Sequence, residues 1–211
     1  DIAGTDATIG YFTAIDTAMS SIDKVRDTAD AFERIFLVEV MGRNAGFLAL
    51  NAALSSAADY VVVPEFFESA DVEIQKMVAQ IKAQRALKGA VSFIAVVAEN
   101  VWPNGLQGLT DALQQHGISD VRPVTLGHVQ RGGSPVAQDR LLATTLGEHA
   151  ISLVGTDLTD IMVGEVNQRP VTVPLSMTWK NTKPLNEARV EAMRTLMNER
   201  YVSHQLIVYD H

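Results

Sequence analysis

The sequence predicts an α/β fold, an open and mostly parallel sheet with helices on both faces, and three observations carry that prediction. Short apolar runs rich in β-branched residues alternate with stretches of helical periodicity through most of the 211 residues. The succession strand, helix, strand from Ile35 to Val63 demands a parallel crossover. Finally, Ala90 to Ala98 (AVSFIAVVA) is apolar almost throughout instead of alternating, as a strand covered on both faces must be, which places it at the centre of its sheet.

Taken in order, Ile9, Phe12, Ile15, Met19, Ile22 and Val25 keep the three-and-four spacing of an amphipathic helix. Ile35 to Met41 reads as a strand with one acid, Glu39; Gly42 and Arg43 make a tight turn, and the Ala/Leu-rich Asn44 to Ala58 reads as helix. Tyr60 to Val63 is a β-branched run closed by Pro64, which cannot donate a ladder hydrogen bond and suits a strand end. Ser69 is placed to cap a helix whose stripe is Ile74, Met77, Val78 and Ile81, and Gly89 is placed to stop it. After the central strand, a loop with Trp102, Pro103, Asn104 and Gly105 leads to a helix near Leu106 to His116, a strand near Val121 to Leu126 and a long helix from Val136 to Leu153. Asp160 to Val163 reads as a further strand and Glu187 to Glu199 as a last helix.

Composition narrows the function. Apolar residues make up 47% and charged residues 20%, which suits a globule and not a disordered tail. The net charge of -8 argues against nucleic acid and anionic membrane as partners, so any cationic site must be local. There is no cysteine, which removes disulfides, thiol nucleophiles and thiolate metal sites and suits a cytoplasmic enzyme. No stretch approaches the roughly 20 consecutive apolar residues of a membrane span. The chain opens at Asp1 without a methionine and in mid-motif, as a fragment or a processed product would.

Two constellations carry chemistry. Glu39 to Gly46 (EVMGRNAG) lies where a strand ends and a helix begins; unpaired N–H groups and the helix dipole favour an anion there, Gly42 admits a ligand to the backbone, and Arg43 offers a planar fork. Leu126 to Pro135 (LGHVQRGGSP) is richer: His128 and Arg131 are three apart, two glycines follow without side-chain bulk, and Pro135 stiffens the exit. The plain alternatives are a turn glycine with a solvated Arg43, and a structural loop with a satisfied His128. There is no GxxxxGK[ST] loop, GxGxxG fingerprint or HExxH helix, and Ser134 has neither a neighbouring base nor a nucleophile elbow. The other histidines, His116, His149, His204 and His211, sit in surface or terminal settings, so no metal cage is expected.

Together, Asp1 to Gly10 (DIAGTDATIG), EVMGRNAG, Asp59 to Glu65 (DYVVVPE) and Leu126 to Arg140 (LGHVQRGGSPVAQDR) give a chain that resembles bacterial-type 6-phosphofructokinase. The motifs follow in the family's order over nearly the whole chain, diverging after about Asp160, and the end from Tyr201 matches nothing in it. The resemblance implies two α/β domains in the intact enzyme, one for the phosphoryl donor with Mg2+ and one for fructose 6-phosphate, this chain matching the second. It implies a linking helix region at 1–31, the sugar-phosphate domain at 32–160, and a strand and helix segment at 161–211 that belongs in part to, or packs on, the donor domain, most of which lies outside this sequence.

By motif, His128 and Arg131 would bind the 6-phosphate. Met41, Gly42 and Arg43 would line the sugar, with Arg43 also facing the transferring phosphoryl group as the residue most concerned with rate. Glu99 would hold sugar hydroxyls, and Arg34 and Arg122 would reach a neighbouring subunit, implying a homodimer or homotetramer. Arg26, Asp59 and Lys88 match effector positions, although Ala90 stands where many bacterial members carry lysine, which argues against allosteric control by nucleotide or phosphoenolpyruvate. Asp1 matches the last residue of the Thr-Ile-Asp-Asn-Asp motif, with a catalytic or Mg2+-binding role; the aspartate base two positions earlier falls before the sequence begins, so this polypeptide alone is expected to transfer nothing. The donor, ATP or pyrophosphate, stays open, as does a non-catalytic sugar-phosphate-binding module.

Overall fold

A computed structural model describes residues 2–32, 34–88 and 92–202. Its contacts form two compact units, one of residues 1–16 and 131–184, the other of 17–130 and 185–211. Both are discontinuous along the chain, whereas the motif-based division cuts it in succession after 31 and 160.

The larger unit is built on four parallel strands in the order β2-β3-β1-β4: β1 (Ile35–Val40), β2 (Tyr60–Val62), β3 (Phe93–Ala98) and β4 (Val121–Thr125). β3 lies inside the sheet, paired Ile35 to Phe93 with β1 and Tyr60 to Ala95 with β2. Its six described residues are all buried, as the unbroken apolar run requires. Alternate side chains divide between two layers. Phe36, Val38, Val40, Ile94, Val96 and Ala98 face a core closed by α1 (Tyr11–Phe32), α2 (Phe47–Ser55) and α7 (Glu187–Val202). Ile35, Leu37, Phe93, Ala95 and Val97 face one closed by α3 (Ala70–Lys88) and α4 (Gly105–Gln115). The buried face of α1 in this unit is Ala18, Ile22 and Ala29, small residues that let the helix lie close to the sheet, while Ile9 precedes the helix and is exposed.

Ser69 caps α3, its hydroxyl accepting the Val72 N–H at 3.3 Å. Beneath that helix the Tyr60 hydroxyl donates to Glu73 at 2.7 Å. Both groups titrate above their ordinary range, chiefly because burial penalises their charged forms.

The smaller unit contains α5 (Ala137–Ser152), α6 (Met177–Lys180) and an antiparallel hairpin of β5 (Ile161–Val166) and β6 (Arg169–Pro174). The reading at Asp160 to Val163 therefore finds the first hairpin strand; β6 and α6 are additions. Asn167 and Gln168, both at positive φ, form the two-residue turn between the strands. Buried polar groups pin the unit together: Asp139 accepts N–H bonds from Gly10 at 2.9 Å and Thr13 at 2.7 Å, at the start of α1. The Thr5 hydroxyl meets the Glu165 N–H at 2.9 Å, and Lys183 donates to the Thr5 and Asp6 carbonyls.

Candidate functional site

In a parallel sheet the carboxyl ends of adjacent strands open on one edge, where ligands collect. Here β1 delivers Met41, Gly42 and Arg43; its neighbour β3 delivers Glu99 and Asn100; β4, on the other side of β1, delivers the single-turn helix Gly127–Arg131. The ladder continues past the strands, Glu99 N–H donating to Val40 C=O and Leu126 N–H to Glu39 C=O, both at 3.0 Å, so the three loops leave the sheet in register.

The loop after β1 has a built conformation. Gly42 C=O accepts the Ala45 N–H at 3.1 Å and Arg43 takes φ 59°. A Cβ on Gly42 would collide with the Ala45 carbonyl oxygen, and one on Gly46 would collide with Glu65 and Val63, so both glycines are imposed by close approach. The turn delays α2 until Phe47, three residues later than Asn44.

The expectation of unpaired N–H groups at this turn is corrected by the structure for Gly42, Arg43 and Gly46. Glu99 Oε1 accepts the N–H groups of Gly42 at 3.0 Å and Arg43 at 2.6 Å, and the Glu65 carboxylate accepts that of Gly46 at 2.9 Å. The protein's own carboxylates occupy these three donors and complement the entrance to α2. Asn100 adds a bond from its amide to Arg43 C=O at 3.0 Å. At this edge the side chains of Arg43 and His128 are both exposed.

Gln130, absent from the sequence-derived candidates, ties two of the loops together. It is 2% exposed and its Oε1 accepts the Met41 N–H at 2.8 Å. Glu65, likewise absent from them, secures the start of α2. Neither carried a signal beyond being a polar residue inside a motif whose neighbours looked more chemical.

The remaining candidates lie elsewhere. Arg131 ends the Gly127–Arg131 turn and is exposed, the first residue of the smaller unit. Arg34 immediately precedes β1, and Arg122 sits on edge strand β4 in register with Phe36, beside Asp120 at 3.7 Å. Both are at the amino ends of their strands, roughly 23 Å (Arg34) and 17 Å (Arg122) along β1 from the Met41 loop at about 3.3 Å per residue. Arg26 donates to the Ser56 and Ala57 carbonyls at the end of α2, at 2.6 and 3.1 Å. Asp59 is buried, accepting from Ile94 N–H at 2.8 Å and from the Gln84 amide at 3.3 Å. Lys88 is the last residue of α3, and Asp1, Gly89, Ala90 and 203–211 lie outside the described residues. Among the described residues no group of three or more His, Asp or Glu side chains comes together as a metal site would require, and Asp1, the residue matched to Mg2+, is not among them.

The family model described as Phosphofructokinase matches residues 1–154. The chain belongs to the phosphofructokinase family. It is 42% identical over 196 residues to the ATP-dependent 6-phosphofructokinase 1 of Thermus thermophilus, covering 93% of this chain and 59% of that protein. It is 44% identical over 176 residues to the ATP-dependent 6-phosphofructokinase of Streptococcus pneumoniae strain 70585, covering 83% and 50%. The chain thus spans between half and three fifths of the length of these relatives. Among solved structures it is similar to phosphofructokinase from Saccharomyces cerevisiae, with TM-score 0.77, 36% identity, and coverage of 96% of this chain and 27% of that one. A pyrophosphate-dependent phosphofructokinase from Marinobacter aquaeolei, at 17% identity and TM-score 0.66 over 93% of this chain and 57% of the other, shares the fold. Membership of the phosphofructokinase family accounts for both strand-end motifs.

Proposed function

We propose that this chain is the fructose 6-phosphate-binding portion of an ATP-dependent 6-phosphofructokinase, whose intact form moves a phosphoryl group onto the 1-hydroxyl of the sugar. The observation that carries the reading is the convergence of Arg43, Glu99 and His128 at the carboxyl ends of three adjacent parallel strands. His128 and Arg131 bind the 6-phosphate through charge-assisted hydrogen bonds, which a protein of net charge -8 has to supply locally. Glu99 keeps Oε1 on the Gly42 and Arg43 amides, and Oε2 accepts a sugar hydroxyl. Arg43 neutralises charge developing on the transferring group, the kind of positioning and electrostatic work on which phosphoryl transfer depends. The names of the relatives that are 42–46% identical support ATP as donor.

Arg34 and Arg122, at the far end of the sheet from the Met41 loop, serve a neighbouring subunit's 6-phosphate, which makes the enzyme a homo-oligomer. Mg2+, when bound with the donor, would supply charge neutralisation; Asp1 would hold it together with residues of the donor portion, to which the base for the 1-hydroxyl belongs. Residues 161–211 belong in part to that portion or pack on it, a reading supported by the exposed Leu175, Met177 and Trp179. No helix among the described residues is long and apolar enough to cross a membrane, and a cytoplasmic place in sugar breakdown fits this activity.

Calorimetric titration of the chain with fructose 6-phosphate tests the proposal. Arg131→Ala is expected to weaken binding by about 10- to 100-fold, the worth of a charged hydrogen bond, and Arg43→Ala by less. Binding that neither substitution alters would overturn it.

A further inference from the structure

Three successive backbone donors fix the loop that presents Arg43. Gly42 and Arg43 N–H are held by Glu99 from β3. Met41 N–H is held by Gln130, which comes from the turn after β4, two residues beyond His128. Gln130 is therefore the only described side chain that hydrogen-bonds the His128 turn to the backbone of the Met41 loop. Its amide orientation is settled by chemistry, because Met41 N–H is a donor and can be met only by the side-chain oxygen. That choice leaves Nε2 buried, with no hydrogen-bond partner among the described residues. An unpaired buried donor costs stability, and an apolar side chain of the same shape would fill the space without that cost. Packing alone gives no reason for glutamine here; the bond to Met41 does.

We infer that Gln130 is a positioning residue for phosphoryl transfer: it transmits the placement of the phosphate-binding turn to the Met41, Gly42, Arg43 loop and so sets where the Arg43 guanidinium stands. The inference rests on the proposed function and adds a residue to it. Gln130 touches no substrate in this role. It acts through Arg43, whose positive φ leaves few alternative backbone states once the loop is anchored at three consecutive amides.

The test uses the intact enzyme carrying this chain, with Q130M, which keeps the volume and removes the acceptor. The expected result is a kcat at least tenfold lower, a KM for fructose 6-phosphate changed less than threefold and faster hydrogen exchange at the Met41 amide, with little net change in melting temperature because the buried Nε2 donor is removed while the Met41 N–H is left unmet. In an Arg43→Ala background Q130M is expected to lower kcat no further. A purely structural role would instead leave kcat of the folded enzyme unchanged, or leave the two substitutions additive. Q130N, which keeps the amide but withdraws it by one methylene, carries the same expectation for kcat and exchange if Q130M does not fold. Full kcat in the folded variants, or additivity with Arg43→Ala, overturns the inference alone. A wild-type enzyme that transfers nothing to fructose 6-phosphate overturns the functional reading and this inference with it.

Discussion

The two compact units are held together by different physics. The larger one carries an apolar layer on each face of its sheet, with Ile35, Leu37, Val38, Ile94 and Ala95 completely shielded. The smaller one buries few large side chains, Leu142 and Val173 among them, and leaves Leu141, Ile151, Val154, Leu158 and Trp179 more than half exposed. Its cohesion comes from directed bonds, Asp139 to Gly10 and Thr13, Thr5 to Glu165, and Lys183 to two carbonyls. Between residues 131 and 184 the helical stripe of α5 and the hairpin thus describe a surface as much as a core. A sheet sealed on both faces tolerates polar, strained loops at its edge, because the layers beneath supply the stability that such loops lack.

The contrast can be broken in three ways, in descending order of effect. Ile94→Ala removes a fully buried side chain from the inner strand and should cost about 3 to 4 kcal/mol in denaturant unfolding, whereas Leu141→Ala, at a position 69% exposed, should move stability by less than about 0.5 kcal/mol. Equal losses would mean that α5 is as well covered as β3. Asp139→Ala leaves two backbone donors near α1 unmet and should cost about 2 kcal/mol, confined to the smaller unit. Hydrogen exchange should quicken over 1–16 and 131–184 and stay unchanged in β1 and β3; uniform acceleration would show that the units do not open independently.

The smallest effect concerns Glu73. Its folded-state titration lies above the ordinary carboxylate value, so the folded state binds the extra proton. The stability this contributes is complete below about pH 4.3, the unfolded value, and is lost as pH rises through the higher folded one. Urea midpoints across that range should fall in the wild type and flatten in Glu73→Gln.

Most of the larger unit was legible in the sequence, because period and burial speak directly there: Phe93–Ala98 form an inner strand and Ser69 the cap. The hairpin was only half legible. Its turn is Asn167-Gln168, and without a glycine the usual two-residue signal is missing although both residues take positive φ. The site divides the same way. Motif residues at strand ends were readable, and the structure brings Met41, Gly42, Arg43 and Glu99 together. What joins them was not, since Gln130 to Met41 and Glu65 to Gly46 are contacts across 89 and 19 residues that no local pattern encodes. The supposedly open amides failed as an expectation for the same reason: their partners lie on other loops.

Those filled amides have a consequence for selectivity. A main-chain cradle would attract sulfate, free phosphate and any other small oxyanion alike, and would have to shed them before each turnover. With Glu99 and Glu65 already seated there, a stray anion meets negative charge instead of open donors. Under the proposed function, discrimination would rest on the exposed guanidinium of Arg43, acting together with groups that recognise the rest of the ligand elsewhere.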